Sequence, residues 1–261
     1  MYLIDTHAHL DMLKHMSPAE AVEKSAGEGV RYIINPGSSI EGSRKAVEYA
    51  GRFPGVFASV GVHPHDADAV GDKEMKLLEN LIAGENGARN KKVVAVGESG
   101  FDFYRDLSPR IDQEKAFRSH IELALKYSLP LIVHDRDAHM DTLDVLSEYT
   151  GKDGLRAVIH CFSGDASFAA RCLELGLYIS FTGVITFPNA GDALKAVKEV
   201  PLDRMFIETD SPFLAPQPKR GKENFPGYVK YVAEKIAEIK ETAFEEIAEK
   251  TSANAVEFFS L

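Results

Sequence analysis

Val93-Val94-Ala95-Val96-Gly97-Glu98-Ser99-Gly100-Phe101-Asp102 is the stretch on which the reading of the fold turns. It opens on four apolar residues without alternation, three of them β-branched, the pattern of a strand buried on both faces. It ends on glycine and on side chains that carry charge. A buried parallel strand with chemistry at its C-terminal end is the unit of an α/β fold.

Seven further runs repeat the pattern. Before it come Tyr2-Leu3-Ile4, Tyr32-Ile33-Ile34 and Val56-Phe57-Ala58-Ser59-Val60. After it come Leu131-Ile132-Val133, Ala157-Val158-Ile159, Leu177-Tyr178-Ile179-Ser180-Phe181 and Met205-Phe206-Ile207. Helix signals fall between them. Ser17-Pro18-Ala19-Glu20 offers an N-cap, a proline at N1 and a capping glutamate at N3. Ser108-Pro109 repeats the N-cap and N1 signal, and Thr242-Ala243-Phe244-Glu245 reads as another capping box. Over residues 112–127, Ala116, Phe117, His120, Ile121, Ala124 and Leu125 share one helical stripe. Eight β-then-α units predict an α/β chain, a closed (β/α)₈ TIM barrel, in one domain over residues 1–261. An open doubly wound sheet is the alternative, but no GxGxxG or P-loop supports it.

The bulk numbers fit. The chain has 261 residues, 44% of them apolar and 27% charged, with a formal net charge of −10. Such an acidic chain is not expected to grip duplex nucleic acid by a broad basic surface. Two cysteines, Cys161 and Cys172, without CxxC spacing, predict reduced thiols in a cytoplasm. The first residues carry no basic, apolar leader pattern, and no apolar run is long enough for a membrane span.

The strand ends hold the chemistry. Strand one runs into Asp5-Thr6-His7-Ala8-His9, strand four into Glu98, strand five into His134-Asp135-Arg136, strand six into His160-Cys161, and strand eight into Glu208-Thr209-Asp210. In a barrel these ends meet on one face. His7, His9, Glu98, His134, His160 and Asp210 are therefore expected to converge. Buried imidazoles and carboxylates are costly to desolvate unless a cation offsets them. Four His and two carboxylates suit divalent Zn, Mn, Fe or Co, and Mg where oxygen donors dominate. A second HxH pair, His63-Pro64-His65, reads most simply as polar loop histidines.

The ordered motifs DTHAHL, GVHPH, GESGFDFY, IVHDR, HCFSG and ETDSPFLAP resemble the TatD family of metal-dependent deoxyribonucleases across residues 2–228. The resemblance implies a TIM barrel with two divalent cations. His7 and His9 would hold one ion, His134 and His160 the other, Glu98 would bridge them, and Asp210 would complete the first site beside the attacking water. Glu98 and Asp210 are thus the expected catalytic groups, and DNA, single-stranded or at frayed ends, the expected substrate. A glutamate after strand four, with Lys91 and Lys92 before that strand, separates this chain from barrels bridged by a modified lysine.

His63, Arg136, Asp102 and Tyr104 are the candidate substrate contacts. His63 could instead fix its loop, and Arg136 could pair with Asp135 or Asp137. Lys219, Arg220 and Lys222 form a basic loop that could gather phosphates or be a solvated charge run. Cys161 reads as a small buried residue. Phe101, His120 and Phe225 stand where the family commonly has Leu, Gln and Glu. Two other functions fit the same residues: hydrolysis of an amide, lactone or aminoacyl ester, and non-catalytic nucleic-acid binding with structural metals. No membrane and no obligate protein partner are expected.

Overall fold

The computed structural model describes residues 1–84, 88–151 and 154–261. Eight strands lie in one sheet in chain order. They are β1 (Leu3–Asp5), β2 (Val30–Asn35), β3 (Val56–Val60), β4 (Val93–Asp102), β5 (Leu131–Arg136), β6 (Ala157–Ile159), β7 (Tyr178–Phe181) and β8 (Met205–Ile207). Helices alternate with them, and the fold is a (β/α)₈ TIM barrel. Each apolar run of the sequence became a strand, with β4 extending through Asp102.

Backbone contacts divide the chain into two units. The first comprises Met1–Asn35, Cys161–Glu174 and Tyr178–Leu261. In it β1 pairs with β2 and β7 with β8, both in parallel. The first and last strands close on each other. Thr6 N–H donates to Ile207 O at 3.3 Å, and Ala8 bridges Ser211 in parallel. Helices α1 (Pro18–Gly27), α6 (Ala166–Glu174), α7 (Gly191–Glu199), α8 (Val229–Lys240) and α9 (Phe244–Phe259) belong to this unit. The expected capping box opens α1, with Ser17 N–H donating to Glu20 Oε2 at 2.8 Å and Glu20 N–H to Ser17 Oγ at 3.3 Å.

The second unit comprises Pro36–His160 and Leu175–Leu177. It carries β3 to β6, paired in parallel, with α2 (Ile40–Arg52), α3 (Asp72–Ala83), α4 (Arg110–Tyr127) and α5 (His139–Tyr149). All ten residues of β4 are buried. Its register against β5 slips between Val96 and Ser99, an irregularity of the kind that re-aims side chains beside active sites. Gly100, at φ +147°, lies so close to β5 that a Cβ would stand 2.1 Å from His134 O, so only glycine fits there.

Three helix readings need correction. Helix α4 takes Pro109 as its N-cap, because Ser108 Oγ donates to His65 O at 2.8 Å and accepts from Asp68 N–H at 3.3 Å. Helix α9 takes Ala243, without a side-chain cap, and Thr242 Oγ1 bonds Glu246 in place of the expected box. On α4, Leu125 is only half-buried, while Gln113 and Leu123 join the buried face. Among the described residues no helix is long and apolar enough to cross a membrane.

Candidate metal centre

In the first unit, Asp5 at the end of β1 sets the geometry. Its carboxylate is fully buried and accepts from His7 N–H at 3.2 Å, Thr209 N–H at 2.9 Å and Thr209 Oγ1 at 2.6 Å. Burial pushes its carboxyl well up, against the donors that favour its charge. The two chain segments then zip together. Asp210 N–H donates to His7 O at 2.9 Å, and His9 N–H to Ser211 O at 2.8 Å. This pairing carries the side chains past the strand ends to a common place. The Nε2 atoms of His7 and His9 stand 3.2 Å apart, with Asp210 Oδ1 at 3.8 and 3.6 Å from them.

Glu208 is a second buried acid of this unit. It accepts from Cys161 N–H at 2.6 Å, Ser180 Oγ at 2.6 Å and Thr6 Oγ1 at 3.3 Å, joining the neighbourhoods of three strands. Asp5 and Glu208 escaped the functional reading of the sequence. The available signal was an acid immediately after an apolar run, beside the chemistry-bearing residues.

In the second unit, Glu98 Oε1 has three imidazoles around it: His63 Nε2 at 3.1 Å, His134 Nδ1 at 3.2 Å and His160 Nε2 at 3.7 Å. Burial opposes the charge on Glu98. The imidazoles of His160, His63 and His134 outweigh it and hold the carboxyl well below its ordinary range. Burial likewise opposes a proton on His134, but Asp102 and Glu98 on its two sides drive its pKa up. His63, more affected by burial, is pushed down. His134 is thus flanked by the carboxylates of Glu98 and Asp102, an environment that favours positive charge and that a divalent cation could equally satisfy.

Asp102 acts on His134 from the far side of the ring. Its Oδ2 is 3.4 Å from His134 Nε2 and 2.8 Å from His65 Nε2, while Oδ1 accepts from Arg105 N–H at 2.8 Å. A carboxylate behind an imidazole fixes its tautomer and leaves the other nitrogen's lone pair for a metal. His63 is constrained differently. Its Nδ1 accepts from His65 N–H at 3.1 Å, so in the neutral ring the proton is on Nε2, pointing at Glu98. His63 therefore both fixes its loop and donates into the cluster. His65, read as a plain loop histidine, holds Asp102.

The donor sets fit divalent ions. Glu98, His134 and His160 each offer an atom within 4.8 Å of the others, as do His63, Asp102 and His134. His7, His9 and Asp210 make a comparable set in the first unit. Imidazole nitrogen with carboxylate oxygen suits zinc, manganese, iron or cobalt.

Arg136 is exposed, with Cζ 4.0 Å over the centre of the Tyr104 ring. Asp135 bonds His139 and Thr142. Lys219 Nζ lies 5.5 and 5.4 Å from the Tyr228 and Tyr231 rings, and Arg220 Cζ 5.8 Å from that of Phe187. Cys161, expected to be buried, is partly exposed, its Sγ 3.9 Å from Thr182 Oγ1. Phe101 packs on Phe117, and Phe225, buried against Tyr228, is a packing residue.

Fold and donor sets together define a metal-dependent hydrolase of the TIM-barrel class. The family model described as TatD related DNase matches residues 4–260, and the chain belongs to that family. It is 42% identical over 260 residues to the uncharacterized metal-dependent hydrolase YabD of Bacillus subtilis, covering 99% of each chain. It is 36% identical over 247 residues to a Cronobacter sakazakii protein named 3'-5' ssDNA/RNA exonuclease TatD, covering 92% of this chain and 90% of that one. The crystal structure of YJJV, a TatD homolog from Escherichia coli K12, superposes with a TM-score of 0.90 at 29% identity, covering 99% and 98%.

Proposed function

We propose that the chain is a two-metal phosphodiesterase that cleaves single-stranded DNA or frayed DNA ends in the cytoplasm, with His7, His9, Glu98, His134, His160 and Asp210 forming one centre. The observation that carries the reading is Glu98, a buried ionised carboxylate ringed by imidazole nitrogens at 3.1 to 3.7 Å. The name of the Cronobacter relative supports the single-stranded substrate. So does the net charge of −10, which disfavours wide contact with duplex phosphates.

His7, His9 and Asp210 would hold one cation, His134 and His160 a second, and Glu98 both. Such ions supply Lewis acidity toward a phosphoryl oxygen and acidify water. The protein does the rest. Asp102, 3.4 Å from His134 Nε2, would favour a proton on that side of the ring. His63 directs its Nε2–H toward the place where negative charge gathers. Asp210 would accept the proton of the water that attacks phosphorus, and the phosphorus–oxygen bond to the departing nucleotide breaks as its oxygen takes a proton from solvent. Arg136, with Cζ 4.0 Å over the Tyr104 ring, would bind a phosphate bidentately.

The test is hydrolysis by the protein loaded with manganese or magnesium. The substrates are labelled single-stranded and duplex DNA, an amide, a lactone and an aminoacyl ester, each with and without chelator. Chelator-sensitive cleavage that favours the single strand is expected. Fast ester or amide hydrolysis with intact DNA would instead leave the metal-dependent hydrolase and remove the nuclease.

A further inference from the structure

Phe213 follows Asp210 by three residues, and half of its surface is exposed. Single exposed apolar residues are ordinary, so exposure alone assigns nothing. Two further features set this one apart. Its ring stands edge-on to His9, centroid to centroid 6.2 Å with the planes 73° apart, which puts it against a candidate metal ligand. Its backbone is also held on both sides. Phe213 N–H donates to Asp210 O at 3.0 Å, and Phe213 O accepts from Asn224 Nδ2 at 2.6 Å. The fully buried Asn224 donates through the same Nδ2 to Thr209 O at 2.9 Å, tying Phe213 to the segment that carries Asp210.

From this geometry we infer that Phe213 is a stacking platform for a nucleobase of the strand whose phosphate reaches the His7, His9 and Asp210 cluster. The inference rests on the nuclease reading and names the group that positions the substrate. Every base has a π-face, so an anchored phenyl ring binds single strands with little regard to sequence. A paired base in an intact duplex has both faces covered by its neighbours, so the same ring favours an unstacked end over a duplex interior.

The test compares wild type, F213A, F213L and F213W on single-stranded oligonucleotides that carry either a normal base or an abasic site at each position near the cleaved end. KM and kcat are measured. Stacking is followed separately through the fluorescence of 2-aminopurine in a phosphorothioate-linked strand. F213A and F213L should raise KM for the base-bearing strand roughly tenfold or more and abolish the quenching of 2-aminopurine. F213W should keep both. At one position an abasic site should remove the penalty of F213A, because the partner of the ring is already missing. F213L retains apolar bulk beside His9, so a loss in that variant points to the π-face and not to support of the histidine. Equal penalties on base-bearing and abasic strands at every position would overturn the inference and leave the nuclease reading standing. A metal-loaded wild type that cleaves no strand, abasic or not, would overturn both.

Discussion

Asp102 Oδ2 lies 2.8 Å from His65 Nε2 and 3.4 Å from His134 Nε2, and its charge favours a proton on the His134 ring. Replacing Asp102 with Asn removes the charge that favours this proton. Metal affinity of the site holding His134 should fall by ~10–100-fold with the fold intact. Titration of the metal-free protein with zinc or manganese checks this, and unchanged affinity in D102N would contradict this role of Asp102. Asp210 tests catalysis apart from binding. In D210N the oxygen remains but the proton acceptor is gone, so turnover of a short single-stranded DNA should drop by ~10²–10⁴ while its binding changes less. Equal turnover in D210N would mean that the attacking water needs no protein base. At this scale the sequence was informative about atoms at strand ends and silent about how rings turn. His63, His134 and Glu98 were legible as residues. The tautomer of His63 was not, because it is set by one backbone N–H, that of His65.

The elements were legible where local and tertiary preferences agree. Strands such as β3, β6 and β8 coincide with their apolar runs, because burial on both faces leaves only apolar residues as an option. The start of α4 was misread because the Ser108 hydroxyl found a tertiary acceptor in His65 O, so the local capping pattern lost. His120 on α4 belongs to the same class of long-range tie. Its Nδ1–H donates to Ala116 O at 2.6 Å, and its Nε2 accepts from Val62 N–H at 3.0 Å, anchoring the end of β3 just before His63. Burial pushes its pKa down from 6.5 to about 4. The unfolded chain therefore takes up this proton at a higher pH than the folded one. Stability supplied by neutral His120 is present above pH 6.5 and is lost as the pH falls toward 4, by about 3 kcal/mol at most. H120Q keeps an acceptor for Val62 N–H and cannot titrate. Denaturant unfolding of both proteins between pH 4 and pH 7 should show a shallower acid decline in H120Q, and parallel curves would refute the assignment.

For the whole molecule, the sequence showed the order of the barrel and the positions of the acids and imidazoles. Asp5 and Glu208 looked like ordinary members of their motifs, because their work is to join strands distant in sequence. Clusters of this kind make stability depend on ions. At a free metal concentration of ~100 times Kd one site adds ~2.7 kcal/mol, so the melting temperature of a chain this size should rise by ~5–10 °C on loading. Chelator should return it to the metal-free value, and a melting temperature indifferent to metal would argue against resident ions. The most direct test of the central claim is anomalous diffraction from crystals loaded with manganese or zinc. The account predicts two ions per chain, one held by His7, His9 and Asp210 and the other by His134 and His160, with Glu98 touching both. A single ion, or an ion held by His63 and Asp102 in place of His160 and Glu98, would contradict it.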